Sequence, residues 1–168
     1  KRQSLSLHCD DGLHKEVHMQ YENGCWLLKE GYAAFSPTVA YEIYKKGANK
    51  LKLVCPTFHI EGKGDTLEGI NLTIEVTVPY PEMFRIEVYH HKGTAAGTPC
   101  FPLQMHNDIP MDYSETSDSV CIYSGSMTLE ICKKPFSMIF RRGKDVISRS
   151  GLRDLCYVKD GWNGYAYD

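Results

Sequence analysis

The chain has 168 residues, of which 42% are hydrophobic and 24% charged, and its formal net charge is -2. That length suffices for one domain with a sizeable core, and the composition is ordinary for a globular protein. Without a long Lys/Arg cluster no nucleic-acid partner is expected, and apolar runs this short do not cross a bilayer as helices, so no membrane partner is expected either.

Taken from the start, residues 1–20 are polar and His-rich and read as a loosely held N-terminal arm, with the folded domain over 21–168. No signal-like segment opens the chain. It begins with Lys1 rather than Met, so a cut piece of a longer chain is expected, with a removed leader left open. His14 and His18 stand four apart, as two zinc ligands on a helix would. The zinc-peptidase pattern, however, needs Glu directly after the first His, and Lys15 takes that place. Cys9 is near, but no third ligand is obvious, and no metal or other cofactor is expected.

Short period-two segments then recur. Cys25 to Leu28, Val39 to Tyr44, and Leu51 with Leu53 come first. Leu72, Ile74, Val76 and Val78 follow, alternating with Thr73, Glu75 and Thr77. Phe84, Ile86 and Val88 alternate with Arg85 and Glu87. Turn clusters separate them, among them Glu22-Asn23-Gly24, Lys46-Gly47-Ala48-Asn49, Glu61-Gly62-Lys63-Gly64-Asp65 and Pro79-Tyr80-Pro81. The sequon Asn71-Leu72-Thr73 opens a strand and reads as accidental. Gly93 to Asp118, rich in Gly, Pro and Ser, reads as one long surface loop. It carries His106-Asn107-Asp108, which suits a polar ligand about as well as it suits ordinary loop polarity.

Val120 to Tyr123 resumes the alternation. From Met127 to Ser148 the apolar residues Met127, Leu129, Ile131, Phe136, Met138 and Phe140 alternate with polar ones. Lys-Lys-Pro and Arg-Arg-Gly-Lys breaks interrupt this run, which predicts three consecutive strands. The end, Asp160 to Asp168, is aromatic and Gly-rich. Trp162, Tyr165 and Tyr167 there suit stacking on sugar faces, against the plainer reading of a tail whose rings pack on a partner. Many short strands with Gly/Pro-rich turns and no sustained helical spacing predict an all-β, antiparallel sandwich or barrel.

The chemistry-bearing residues form no catalytic motif. His90-His91 reads as a strand-end pair whose rings point to opposite faces. Asp108, Asp112, Glu115, Asp118, Asp154 and Asp160 are the right type for paired-carboxylate work on a sugar, but none stands in a recognisable motif. The seven cysteines, Cys9, Cys25, Cys55, Cys100, Cys121, Cys132 and Cys156, are odd in number and lack a C-x-x-C spacing. Most lie in strand-like runs as small core residues. A reducing, cytoplasmic location is expected.

Several segments resemble one family in order and spacing. Trp26-Leu27-Leu28-Lys29-Glu30-Gly31 resembles the opening "W-L-x-x-x-G" of bacterial α-xylosidases of glycoside hydrolase family 31. Phe84 to Gly93 is similar to the next strand and turn of that N-terminal domain. Ser124-Gly125-Ser126-Met127-Thr128-Leu129-Glu130-Ile131 resembles its "s-G-x-l-x-l-x-i" strand. Lys134-Pro135-Phe136-Ser137-Met138-Ile139-Phe140, followed by Arg142-Gly143-Lys144, resembles its "k-x-P-F-x-l-x-F…x-G-k" hairpin. The resemblance covers about Tyr21 to Gly161.

The resemblance implies a multidomain retaining hydrolase. In it a β-sandwich of the galactose-mutarotase-like type precedes a (β/α)8 barrel that carries both catalytic aspartates. A barrel needs roughly 200 to 250 residues, more than this whole chain, so no residue here inherits a catalytic role. The chain is then expected to be a non-catalytic N-terminal sandwich that supports the barrel and the rim of the substrate pocket. Its sugar contact, with an α-xyloside or α-glucoside, comes through the parent enzyme. The family's last strands normally follow, so the resemblance also implies an open sheet edge, through which the chain self-associates or which a terminal segment covers.

Two alternatives stand beside this reading. One is an independent carbohydrate-binding module using Trp162, Tyr165, Tyr167, His106 and Asp108. The other is a mutarotase-like aldose epimerase pairing His90 with Glu87 or Glu75.

Overall fold

The computed structural model describes residues 20–22, 25–28, 31–60, 62, 69–93, 104, 106, 109–151, 154–160 and 163–165. Among the described residues fourteen strands follow in chain order: β1 (Gln20–Glu22), β2 (Cys25–Leu27), β3 (Tyr32–Phe35), β4 (Glu42–Lys45), β5 (Lys50–Pro56), β6 (Asn71–Thr77), β7 (Arg85–Tyr89), β8 (Asp112–Glu115), β9 (Ser119–Ser124), β10 (Met127–Cys132), β11 (Ser137–Arg142), β12 (Asp145–Ser150), β13 (Tyr157–Asp160) and β14 (Asn163–Tyr165). Among the described residues there is no helix, hence none long and apolar enough to cross a membrane.

Two meanders form the main layers. One is a four-stranded sheet in the order β4-β5-β6-β7, and the other a five-stranded sheet in the order β12-β11-β10-β9-β8. All their pairs are antiparallel. The expected all-β, antiparallel fold is therefore present, as an open sandwich. A strand's side chains alternate between faces, and this alternation builds the core. Leu51, Leu53 and Cys55 of β5 are buried, with Leu72, Ile74 and Val76 of β6, Val120 and Ile122 of β9, Leu129 and Ile131 of β10, and Met138 of β11. Burying each large aliphatic side chain is worth about 1.5 to 3 kcal/mol. Phe84, just ahead of β7, meets Phe140 of β11 with ring centroids 6.3 Å apart. At the other side Lys45 of β4 lies over the Tyr113 ring of β8 at 5.5 Å.

The predicted three strands from Met127 to Ser148 are β10, β11 and β12. The turn leading into them from β9 is made at Gly125 (φ +60°) and the β11–β12 turn at Gly143 (φ +57°), conformations that cost glycine nothing because it lacks a Cβ.

Three expectations need correction. The apolar run from Val39 is a strand only from Glu42 onwards. Its first part crosses between the layers instead. Thr38 N donates to Pro56 O at 2.9 Å and Tyr41 N to Val54 O at 2.9 Å on one layer, while Ala40 N donates to Lys133 O at 2.9 Å and Phe136 N to Thr38 O at 3.0 Å on the other. The long loop read over Gly93 to Asp118 contains β8, whose sequence Asp-Tyr-Ser-Glu has a single apolar residue and so shows no alternation. The aromatic end is not a plain tail either. β13 and β14 form a hairpin whose β13 pairs with β3, and Tyr157 stacks near Phe35 at 6.5 Å.

Cys55 sits fully covered on β5, and burial pushes its thiol up to about 12. Only a thiolate reacts readily, so the folded chain should leave Cys55 unlabelled by a disulfide reagent at pH 8. Denaturation should then release it. Labelling of Cys55 at the rate of an exposed thiol in the folded chain, read by peptide mass spectrometry, would contradict this core position.

Candidate functional site

Of the sugar-contact residues expected from sequence, the structure describes Tyr165 and His106. Asp108, Trp162 and Tyr167 lie outside the described residues, as do Cys9, His14 and His18. Tyr165 closes β14, with its backbone opposite Val158. His106 stands at the other end of the sandwich, edge-on to Tyr80 with ring centroids 5.1 Å apart.

That end is the more developed polar surface. Tyr80 to Met83 form a turn in which Met83 N donates to Tyr80 O at 3.2 Å. Pro81 pre-sets its first central position, while Glu82 takes a left-handed φ of +63°, a place usually left to Gly. The turn is pinned to the five-stranded sheet. Ser126 Oγ donates to Glu82 Oε1 at 2.7 Å, and Ser124 Oγ donates to Tyr80 O at 3.3 Å. Arg142 Nη2 stands 4.0 Å from Glu82 Oε2. Hydrogen bonds from the Ser126 side chain and backbone, then the Arg142 charge, hold the Glu82 carboxyl below the usual carboxylate range. The Tyr80 hydroxyl donates to the Gln104 carbonyl. Tyr80, His106, Glu82 and Arg142 thus present an aromatic ring, an imidazole, an anion and a cation side by side. Such a rim can hydrogen-bond a polyol, but it offers no activated nucleophile.

A second cluster covers the outer face of the four-stranded sheet. Glu75 lies mid-β6, and its side chain is only 10% exposed. Lys50 Nζ donates to its Oε2 at 3.0 Å, the Tyr89 hydroxyl donates to its Oε1 at 2.9 Å, and Lys92 Nζ approaches at 3.6 Å. Burial pushes the Glu75 carboxyl up, but the bonds from Lys50 and Tyr89 and the charges of Lys50 and Lys92 outweigh it, leaving a lowered value. Burial and the bond to Glu75 push the Tyr89 phenol up to about 12.

The epimerase pair does not assemble. Glu75 and Glu87 face each other across β6 and β7 on the outer face. His90 continues the opposite face, after Ile86 and Val88, which pack on the core. Its Nδ1–H donates to the Asn71 carbonyl at 3.0 Å and its ring lies 4.9 Å from Tyr157. Glu87 is itself bound by Arg85 at 2.7 Å. Of the other carboxylates weighed, Glu115 takes Lys133 Nζ at 2.6 Å, and Asp154 accepts from Gly151 N. Among the described residues no group of three His, Cys, Asp or Glu is placed to hold a metal. Sequence reading named Pro79-Tyr80-Pro81 only as a turn; the Pro ahead of Glu82 was the available sign of this turn geometry.

No protein-family model matches the chain. Over 147 residues, 86% of its length, it is 24% identical to the α-xylosidase XylQ of Lactiplantibacillus pentosus, of which it spans 18%. In fold it is similar to a cycloalternan-forming enzyme from Listeria monocytogenes, solved with a pentasaccharide substrate, at TM-score 0.56 and 12% identity, covering 78% of this chain and 11% of that one. It is also similar to an uncharacterized protein from Listeria monocytogenes EGD-e, at TM-score 0.56 and 13% identity, covering 79% of this chain and 11% of that one. A further structure of that protein, with α-D-glucose, β-D-glucose, magnesium and calcium, matches at TM-score 0.53 and 12% identity, covering the same shares. The chain therefore spans less than a fifth of each of these relatives, and the structural likeness is one of fold.

Proposed function

We propose that this chain is a non-catalytic β-sandwich domain of a retaining family 31 α-glycosidase, set ahead of a catalytic (β/α)8 barrel that it supports, and helping to form the rim of its substrate pocket. One observation carries the reading: the likeness to an α-xylosidase runs through 86% of this chain yet only 18% of that enzyme, the proportion of one domain in a larger hydrolase. The motif resemblance, from Trp26 to the β10–β11 hairpin, points the same way. The carboxylates support it too. Retaining hydrolysis needs two carboxyls about 5 Å apart and free to act, whereas Glu75, Glu82, Glu87, Glu115 and Glu130 are each held by a cation or hydroxyl. In this reading the parent cleaves terminal α-xylosides or α-glucosides.

A second reading, an independent carbohydrate-binding module, draws on the rim formed by half-buried Tyr80 with exposed Glu82, His106 and Arg142, and on fold relatives solved with a pentasaccharide or with glucose. Calorimetric titration of the chain with α-xylosyl and α-glucosyl oligosaccharides separates the two. No heat up to millimolar sugar, and no turnover of an aryl α-xyloside, is the expected outcome. Saturable heat that disappears in Trp162→Ala or Tyr80→Ala would replace the scaffold reading with the binding module, and turnover would overturn both.

A further inference from the structure

The two main layers differ by one strand, and the mismatch falls at one corner. Phe84 packs on Phe140, so the start of β7 lies over β11. β12 is the next strand outwards, roughly 4.8 Å beyond. It therefore lies opposite the position beside β7, where among the described residues no strand pairs with β7, while Tyr157 of β13 meets the His90 ring just past the end of β7. The exposure fits: Asp145 to Arg149 are exposed along β12, and only Ser150 is half-covered.

The two edges at this corner differ in kind. β12 shifts register against β11 between Phe140 and Arg141, leaving Ile147 as an extra residue. A bulge of this sort bends an edge strand and discourages further pairing. β7 has no such device. Its register with β6 is regular from Thr73 opposite Tyr89 to Thr77 opposite Arg85. Its inward residues Ile86 and Val88, with Phe84, pack on the core while remaining only partly buried. A regular edge with a half-covered apolar face is a template for strand addition.

The layer mismatch also selects the occupant. A second copy pairing β7 to β7 would bring its own β11 into the space that β12 already fills. The corner has the width of one strand, not of another sandwich. We infer that the β7 edge accepts a single extended segment of a partner polypeptide. In antiparallel pairing its inward residues, opposite Phe84, Ile86 and Val88, are apolar. Its outward residues are basic opposite Glu87 and acidic opposite Arg85, extending the Arg85–Glu87 ion pair (2.7 Å) across the new seam. This inference stands on the sandwich alone and does not depend on the glycosidase reading.

The probe is a blocked synthetic peptide, Thr-Val-Lys-Val-Glu-Val-Thr, titrated into the isotope-labelled full chain and followed by amide shifts. Saturable shifts centred on β7 and β12 are expected. Affinity should drop about tenfold in the Arg85→Glu/Glu87→Arg double variant and return with the Lys/Glu-swapped peptide, as two reversed cross-strand charge pairs require. Both substitutions sit on the outer face, and circular dichroism checks that the variant folds. Absence of saturable shifts at millimolar peptide overturns the inference, as does affinity indifferent to the charge reversal. Two results in the free chain also overturn it. Light scattering showing a dimer that Ile86→Lys dissolves would make a second copy the occupant. Slow hydrogen exchange at the outward-directed β7 amides would mean that a segment of the same chain already pairs there.

Discussion

Leu129→Ala is expected to lower the unfolding free energy by about 3 to 4 kcal/mol. Leu129 is fully buried in the middle of β10, opposite Ile122 of β9 and Phe140 of β11. Removing three carbons there loses their transfer energy and leaves a cavity that strands on both sides prevent from collapsing. Domains of this size are stable by only about 5 to 15 kcal/mol, so the variant should reach its urea midpoint at a much lower concentration with an unchanged slope. The contrast is Ile147→Ala. Ile147 is 53% exposed on β12, and the same kind of truncation should stay within about 0.5 kcal/mol. Equal losses at the two positions would show that the layers do not pack as described.

Glu75→Gln should be the second-largest loss, about 2 kcal/mol at neutral pH, because hydrogen bonds to a charged, covered group are worth more than neutral ones. Lys50 at 3.0 Å and Tyr89 at 2.9 Å carry this effect. Lys92, with a 64% exposed side chain, adds little through solvent screening. The sign with pH follows from the lowered Glu75 carboxyl. The stabilisation is present above the unfolded carboxyl's value, about 4.3, and is lost as pH falls through the lower folded value. The wild-type chain should lose this increment in acid, while the variant, lacking it, should be flatter there.

The alkaline side is a separate readout. Tyr89 is raised from 10.0 to about 12, so its contribution is complete below pH 10 and disappears as pH rises towards 12. In Glu75→Gln that phenol should ionise at a lower pH than in the wild type, with burial still holding it above its ordinary value, seen by ultraviolet titration against a Tyr89→Phe reference. An unchanged phenol titration would remove Glu75 as its partner.

How much of this was legible beforehand differs element by element. β5, β6, β7, β9, β10 and β11 could be read because one face of each meets the core, and apolar alternation records that directly. β8 and β13 escaped because their sequences, Asp-Tyr-Ser-Glu and Tyr-Val-Lys-Asp, are too short to display a period. β3 and β14 were missed for the same reason. The segment 38–41 looked like a strand but binds both layers, and a local apolar run does not reveal two partners. The motif resemblance pointed to an α-xylosidase; the 24% identity to XylQ supports the coarser likeness to a glycoside-hydrolase-associated domain, and the xyloside specificity belongs to the proposal. The proposed sugar-stacking residues were chosen by residue type alone. Tyr165 and His106 belong to opposite ends of the sandwich because β14 pairs with β13 and β3, whereas His106 lies beside Tyr80 ahead of β7.

The all-β class, the inward face of each long strand and the glycine turns at Gly125 and Gly143 are local properties, and the amino-acid order carries them: a period of two states which side is buried whatever the neighbour. The order of strands, the five-over-four layering, the uncovered corner between β7 and β12, the burial of Glu75 on a nominally outer face and the left-handed Glu82 pinned by Ser126 all depend on contacts between residues far apart in the chain. Alternation specifies a face but not the strand that covers it, so these features exist only once the strands have paired within each sheet and the two meanders have packed together.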